Sequence, residues 1–315
     1  MPLLQRDDGL SEVVGFVLIL GVIVVALSLY QVYGVPAAGR EVEIQHMNAV
    51  KDRFVDYKIA LDSLWINSVN TTRSAEGVTL STSFDLGTMG GSTQGGGILF
   101  PVFSPVPSGG TVAVNNYQDN LTILRNDTVV VGPYPMGEVA YQSSNNYWIQ
   151  QRYIYQMGGL FLKQDSGTTV RLSPLVSVYK INTSSAGTLE HRLKVEITAI
   201  QIFGNQSTGG QGFARVDTRL REGVTRVAPV NGGNVTVTVD AHDGPTAAAW
   251  RQTFIDAAER EGLDWGSEEG ALPIRIVQDG KRVSMICRPD MGTKQVDLEI
   301  TRANYSVTLQ QATMV

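Results

Sequence analysis

The chain of 315 residues is 43% apolar and 17% charged, a balance that excludes a disordered or coiled-coil protein and leaves room for about two average domains. Its 25 basic and 30 acidic side chains give a net charge of −5, which supplies no electrostatic ground for nucleic-acid binding. A single cysteine, Cys287, excludes an intramolecular disulfide and Cys-based zinc clusters, and the three histidines, His46, His191 and His242, lie far apart.

In chain order, the first element is the clearest. No charged residue occurs between Glu12 and Arg40. As a helix, the run at residues 13–35 (VVGFVLILGVIVVALSLYQVYGV) spans roughly 30 Å or slightly more, the thickness of a bilayer hydrocarbon core. Tyr30 and Tyr33 fall near its end, where interfacial tyrosines are common. A cleavable secretory signal has a basic start and a shorter apolar run; here MPLLQRDDG holds one Arg and two Asp. Gly15 and Gly21 are small residues that suit either close helix approach or ordinary membrane-helix packing.

The order Arg6-Asp7-Asp8-Gly9, then Leu10-Ser11-Glu12-Val13-Val14-Gly15, then the apolar run, resembles the class III signal of archaeal type IV pilin-like proteins. The resemblance covers about residues 6–35. It implies that a prepilin peptidase cuts on the cytoplasmic side between Gly9 and Leu10, and that the apolar helix is kept. It implies as partners the lipid bilayer, that peptidase, other pilin-like subunits and a type IV pilus assembly machine. Two features depart from relatives of this kind. The leader is acidic beside the cut, and Glu12 would be the third mature residue, where bacterial pilins have a Glu at the fifth. Glu12 either pairs with a neighbouring subunit's new amino terminus or, as the simpler reading, sits in the headgroup region at little cost.

The segment at residues 34–39 (GVPAAG) predicts a kink or break, because Pro36 lacks a backbone donor. Beyond it Met47, Val50, Phe54, Tyr57, Leu61 and Leu64 recur at steps of three and four, a helical seam with Lys51, Asp52, Asp56 and Lys58 off it. Two partners are open for the seam: the chain's own β domain, or neighbouring subunits. From about Glu76 the pattern turns to short strands. Residues 77–86 alternate. Hairpins are predicted at 121–131 around Arg125-Asn126-Asp127 and at 160–172 around Asp165-Ser166-Gly167. Residues 176–180 and 193–203 are rich in β-branched side chains, and 204–212 (GNQSTGGQG) reads as a linker or long loop. A strand at 235–239 precedes one helix, started by Pro245 and Thr246 and stopped by Gly262, with Trp250, Phe254, Ala257 and Ala258 on its buried face. A hairpin at 274–288 turns at Asp279-Gly280, and 296–309 supplies one or two more strands.

Seven Asn-x-Ser/Thr sequons, at Asn70, Asn120, Asn126, Asn182, Asn205, Asn234 and Asn304, all follow the apolar run and support an exported glycoprotein with its N-terminus inside. Signatures of nucleophilic, P-loop or zincin chemistry are absent. The glycines at 87–97 (GTMGGSTQGGG) lack a following Lys and helix, so they read as a loop rather than a phosphate cradle. Asp240-Ala241-His242-Asp243-Gly244 offers metal-ligand chemistry, but shaping the turn into the helix is the simpler role. Asp85, Asp264, Glu268 and Glu269 form no recognisable acid pair. Cys287 reads as a buried small hydrophobe. Tyr141, Tyr147, Trp148, Tyr153 and Tyr155 suit packing, with Tyr147, Trp148 and Tyr153 as an alternative sugar- or surface-binding platform.

The expected architecture is mainly β with a long N-terminal α-helix. It divides into a leader (1–9), a transmembrane pilin-type helix (10–35), an amphipathic helical stalk (36–75), a β-sandwich-like exterior domain (76–203) and a smaller α+β lobe (204–315). The expected protein is a single-pass, surface-exposed, pilin-like structural or adhesive protein with no catalytic, cofactor or metal residues. Its rivals are a non-polymerising signal-anchored receptor or adhesin, and a tethered exo-enzyme.

Overall fold

The computed structural model describes residues 8–70, 76–88, 104–115, 119–185, 188–221, 224–268, 272–289 and 295–311. The chain is mainly β, headed by one long helix. That helix comprises α1 (Asp8–Leu29), a π-helical turn (Tyr30–Gly34) and α2 (Val35–Asn70), roughly 95 Å end to end. The break expected at Pro36 does not occur. Pro36 cannot donate, and its ring would crowd the carbonyl four residues back. The helix widens just before it, where Val35 N–H bonds Tyr30 O five residues earlier. One π turn thus absorbs the proline, and the helix runs on.

Three sheets follow. The first orders β1 (Thr79–Asp85), β12 (Phe213–Leu220), β18 (Gln295–Gln311), β10 (Thr188–Phe203) and β9 (Val176–Ser185), with β13 (Thr225–Asn231) also on β18. The second orders β11 (Gln206–Gly210), β2 (Gly109–Asn115), β5 (Glu138–Ser144), β6 (Arg152–Gln156), β7 (Gly159–Gln164) and β8 (Gly167–Leu172). The third orders β15 (Trp265–Gly266), β16 (Ile274–Asp279), β17 (Arg282–Cys287), β14 (Val235–Asp240), β3 (Asn120–Arg125) and β4 (Thr128–Pro135). Every sheet draws strands from both sides of residue 204, so the expected boundary at 203/204 does not coincide with a break in any sheet. The stretch expected to be a linker carries β11, which pairs antiparallel with β2 from Gln206↔Val114 to Gly210↔Gly110.

Two apolar cores fill the space between these layers. One gathers α2, β1, β2, β12 and one face of the second sheet; the other gathers α3 (Gly244–Glu259), the third sheet and β9. The long parallel pair β10/β18 serves both. In β10, Leu193, Val195, Ile197 and Ala199 enter the α3 core, whereas Ile200 and Ile202 enter the α2 core. In β18 the same change separates Val296, Leu298 and Ile300 from Ala303, Tyr305 and Val307. Side chains alternate across a strand, so this change of parity means opposite faces are covered at the two ends. Each strand is thus a shared wall between the cores, which is why residues 204–315 do not pack as a separate body.

Local signals explain the hairpins and α3. The β3/β4 turn holds Asn126 and Asp127 at φ 44° and 63°, the left-handed pair a two-residue hairpin needs. The β16/β17 register pairs Asp279 with Arg282, so the loop residues are Gly280 and Lys281, one position later than expected, and Gly280 takes φ 57°. Asp243 caps α3 by accepting from Thr246 N at 2.8 Å, and Trp250, Phe254, Ala257 and Ala258 are buried. The seam of α2 packs on the chain's own sheets: Met47, Val50, Phe54, Tyr57, Leu61 and Leu64 are all buried, with Phe54 4.9 Å from Phe84 between ring centroids. The same face already carries buried Val35, Gly39 and Glu43. Of the two partners left open for the seam, it is the chain's own β domain that residues 36–70 pack on.

Candidate functional site

The most distinctive surface is the apolar helix. Among the described residues one helix is long and apolar enough to cross a membrane, its most apolar 18-residue stretch having a mean hydropathy of 2.8. Every large apolar side chain from Val13 to Tyr33 is between 43% and 70% exposed. At ~2 kcal/mol for each such side chain left in water, the total exceeds the ~5–15 kcal/mol that holds a domain folded. This surface requires an apolar partner. Gly9 and Leu10 lie in the first turn of α1.

A clamp fixes the exit of this helix to the β domain. The Glu43 carboxylate, 1% exposed, accepts from three consecutive backbone amides: Asn146 N at 2.6 Å, Tyr147 N at 2.9 Å and Trp148 N at 2.6 Å. Successive amides of this kind make an anion-binding concavity. Arg40 stacks over the Trp148 ring, 4.2 Å from its centroid. Gly39 lies so close to Tyr147 that an added Cβ would stand 2.4 Å from the ring, so only glycine fits. Tyr147 Oη accepts from Val106 N at 3.0 Å, tying in the segment before β2. Nothing local in the sequence marks Glu43, since its donors are about a hundred residues away.

One turn farther along α2, His46 meets Tyr141. The Tyr141 hydroxyl donates to Leu86 O at 2.8 Å, which leaves its oxygen to accept from His46 Nε2 at 2.9 Å and fixes the Nε2-protonated ring. Burial lowers the His46 pKa, against the opposing pull of Asp85 and Glu43. A cleft of about 140 Å³ beside it is lined by Arg53, Ser83, Asp85 and Phe213 among others, and a second, of about 150 Å³, lies between Trp65, Glu196, Arg226 and Glu299. Both are smaller than the ~300–1,000 Å³ usual for small-molecule sites.

The segment 240–244 meets a partner that sequence reading missed. Asp119, 1% exposed, accepts from His242 N at 2.6 Å, His242 Nδ1 at 2.8 Å and Gln156 Nε2 at 2.8 Å. Gln156 Oε1 in turn accepts from Trp250 Nε1 at 3.1 Å, so the network reaches α3. The hydrogen bond to Asp119 raises the His242 pKa against burial. Burial works against the Asp243 carboxylate, yet bonds from Lys163 and Thr246 hold it well below the usual range. His242 Nε2 faces Asp243 Oδ2 at 3.3 Å rather than a hydroxyl or thiol, so the pair orients no nucleophile and instead ties down the cap of α3. Nearby Glu138, paired with Arg152, is raised by burial. Among the described residues no group of three or more His, Cys, Asp or Glu is spaced to hold a metal.

The remaining residues singled out by sequence are scattered. Cys287 is buried in β17, and burial pushes its thiol up to about 12. Asp85 lines the cleft by His46, and Asp264 and Glu268 are exposed far from it in sequence. Glu269 and most of the 87–97 glycine segment lie outside the described residues. Tyr141, Tyr153 and Tyr155 are buried, as packing required, which removes Tyr153 from the alternative platform; Tyr147 and Trp148 are half-buried in the clamp. Of the sequons, Asn126, Asn182, Asn205 and Asn234 are exposed. Asn120 and Asn304 are half-buried in strands, Asn304 accepting from Tyr134 Oη at 2.6 Å, and Asn70 ends α2. Comparison of the chain with protein-family models, with curated proteins and with solved structures gives no match.

Proposed function

We propose that this chain is a membrane-anchored, surface-exposed type IV pilin-like structural or adhesive protein of archaeal kind, processed by a prepilin peptidase between Gly9 and Leu10. The observation that carries the reading is one continuous helix, bare and apolar up to Tyr33 and packed by one face on the β domain beyond it. A subunit of that form can be held in the bilayer by its first half, or by the same half in a filament core, without disturbing its exterior domain. The leader faces the cytoplasm and the β-rich, sandwich-like exterior with its sequons faces out. Gly9 lies in the first helical turn, which opens at little cost, so an extended backbone can enter a protease.

A second reading is a signal-anchored receptor or adhesin that never polymerises. It is favoured by the α2 seam, which is consumed within the chain and so is not free to pair with neighbouring subunits. The mass of the N-terminal peptide, from protein made in a host with a prepilin peptidase, separates the two. A chain beginning at Leu10 supports the pilin-like reading, and replacing Gly9 with Phe should then block the cut. A chain retaining residues 1–9 overturns it in favour of the signal-anchored form.

A further inference from the structure

We propose that the loop at residues 145–151, together with residues 104–108, rests on the lipid headgroup layer as a second, uncharged membrane contact. The inference builds on the single-pass reading of the apolar helix. Gly39 and Arg40 lie four and five residues beyond Val35, about 6–8 Å along the axis. The headgroup zone of each leaflet is of similar depth, about 5–7 Å. Whatever is fastened to Gly39 and Arg40 is therefore held at the membrane surface, with Glu43, about 12 Å beyond Val35, anchoring it from just outside the headgroups. The structure fastens this loop there through the three amides on Glu43, the Tyr147 ring on Gly39 and the Trp148 ring under Arg40.

The chemistry of the loop suits that position. Residues 104–108 (SPVPS) and 145–151 (NNYWIQQ) contain no charge. Val106 is 61% and Ile149 44% exposed. Tyr147 and Trp148 are the amphipathic aromatics that settle at bilayer interfaces. Arg40 is exposed and offers a cation to lipid phosphate; of the two carboxylates near it on the helix, Glu41 is exposed and accepts from Gln45 Nε2, while Glu43 is turned inward onto amides. The occupant is the bilayer, because the surface continues directly from the apolar helix. The clamp pre-orders the loop, so contact with lipid requires no refolding and fixes how the β domain leans on the membrane.

The test uses the full chain in phosphatidylcholine–phosphatidylglycerol vesicles. Trp65→Phe and Trp265→Phe leave Trp148 and the fully buried Trp250 as emitters. Subtracting the same protein with Trp148→Phe isolates Trp148. Lipids brominated near the carboxyl end of the chain should remove about half or more of Trp148 emission, and aqueous iodide should be excluded from it. Val106→Asp with Ile149→Asp should abolish lipid quenching and admit iodide while the chain stays on the vesicles in alkaline carbonate. Vesicle-bound protein whose Trp148 is open to iodide and untouched by lipid bromine overturns the inference, as does shielding from both, which means a second copy covers the loop. A chain that washes off the vesicles overturns the single-pass reading instead.

Discussion

Replacing Glu43 with Ala tests the clamp most directly. The change strands the amides of Asn146, Tyr147 and Trp148, which lie 2.6, 2.9 and 2.6 Å from the carboxylate. A hydrogen bond to a charged acceptor contributes ~1.5–3 kcal/mol. Three of them do not simply add, because Asn146 and Ile149 are exposed and water can solvate the amides once the loop lifts. The reorganised loop also loses the Arg40–Trp148 stack, worth ~0.5–1 kcal/mol at an exposed site. A net cost of ~2–4 kcal/mol follows, and most of it falls on local opening of the loop rather than on global unfolding. Hydrogen exchange of the full chain in detergent micelles reads this by residue. Amides 146–148 should exchange about 30-fold to several hundredfold faster in the variant, with β14 and β17 unchanged. Glu43→Gln keeps the shape but points an amino group at one donor, so it should fall between. Unchanged protection at 146–148 in Glu43→Ala would refute the clamp.

Three further outcomes are expected. Phe54→Ala, at a fully buried ring packed on Phe84 and Tyr153, should lower unfolding stability by ~3–5 kcal/mol in urea titration. Ile197→Ala and Ile202→Ala have opposite parity on β10, yet each should cost ~2–5 kcal/mol, because the two ends bury opposite faces; a negligible effect of either contradicts the shared-wall architecture. For pH, His242 has a folded pKa raised above its ordinary 6.5 by Asp119, so its contribution is fully present below about 6.5 and is lost as pH rises through the folded value. Urea midpoints across that window should fall with pH, and Asp119→Asn should flatten the fall. Glu138, raised from 4.5, adds a slope of the same sign beginning lower, so the difference between the native chain and His242→Asn isolates the histidine.

Much of the fold was legible wherever the signal is short-range. The bare run at 13–35, the three-and-four seam from Met47 to Leu64, the Asn126-Asp127 turn and the Asp243 cap each depend on a handful of neighbours. Helix period, turn dihedrals and capping geometry act over that distance. Even the change of parity in β10 is written out, since Leu193, Val195, Ile197 and Ala199 give way to Ile200 and Ile202. What it meant was not, because alternation says that a face is buried without saying against what.

The candidate site was less legible for the same reason. Gly9 and the sequons are local patterns, but Glu43 carries no local mark, and Asp119 was not singled out beside the histidine it holds. The glycine-rich 204–212 segment lacks strand propensity yet forms β11, because the edge of β2 offers it backbone partners. Pro36 promises a break, and a single π turn, closed by Val35 N–H on Tyr30 O, accommodates it instead. By itself the sequence determined the helix, its bare half, its seam and the hairpins, all set by residues within a few positions of one another. Only the tertiary structure decided that β18 runs parallel to β10 about a hundred residues away, that two cores share that wall, and that the β domain is clamped at the point where the apolar helix ends. Those outcomes depend on which distant surfaces exclude water together, and no short window of sequence contains that information.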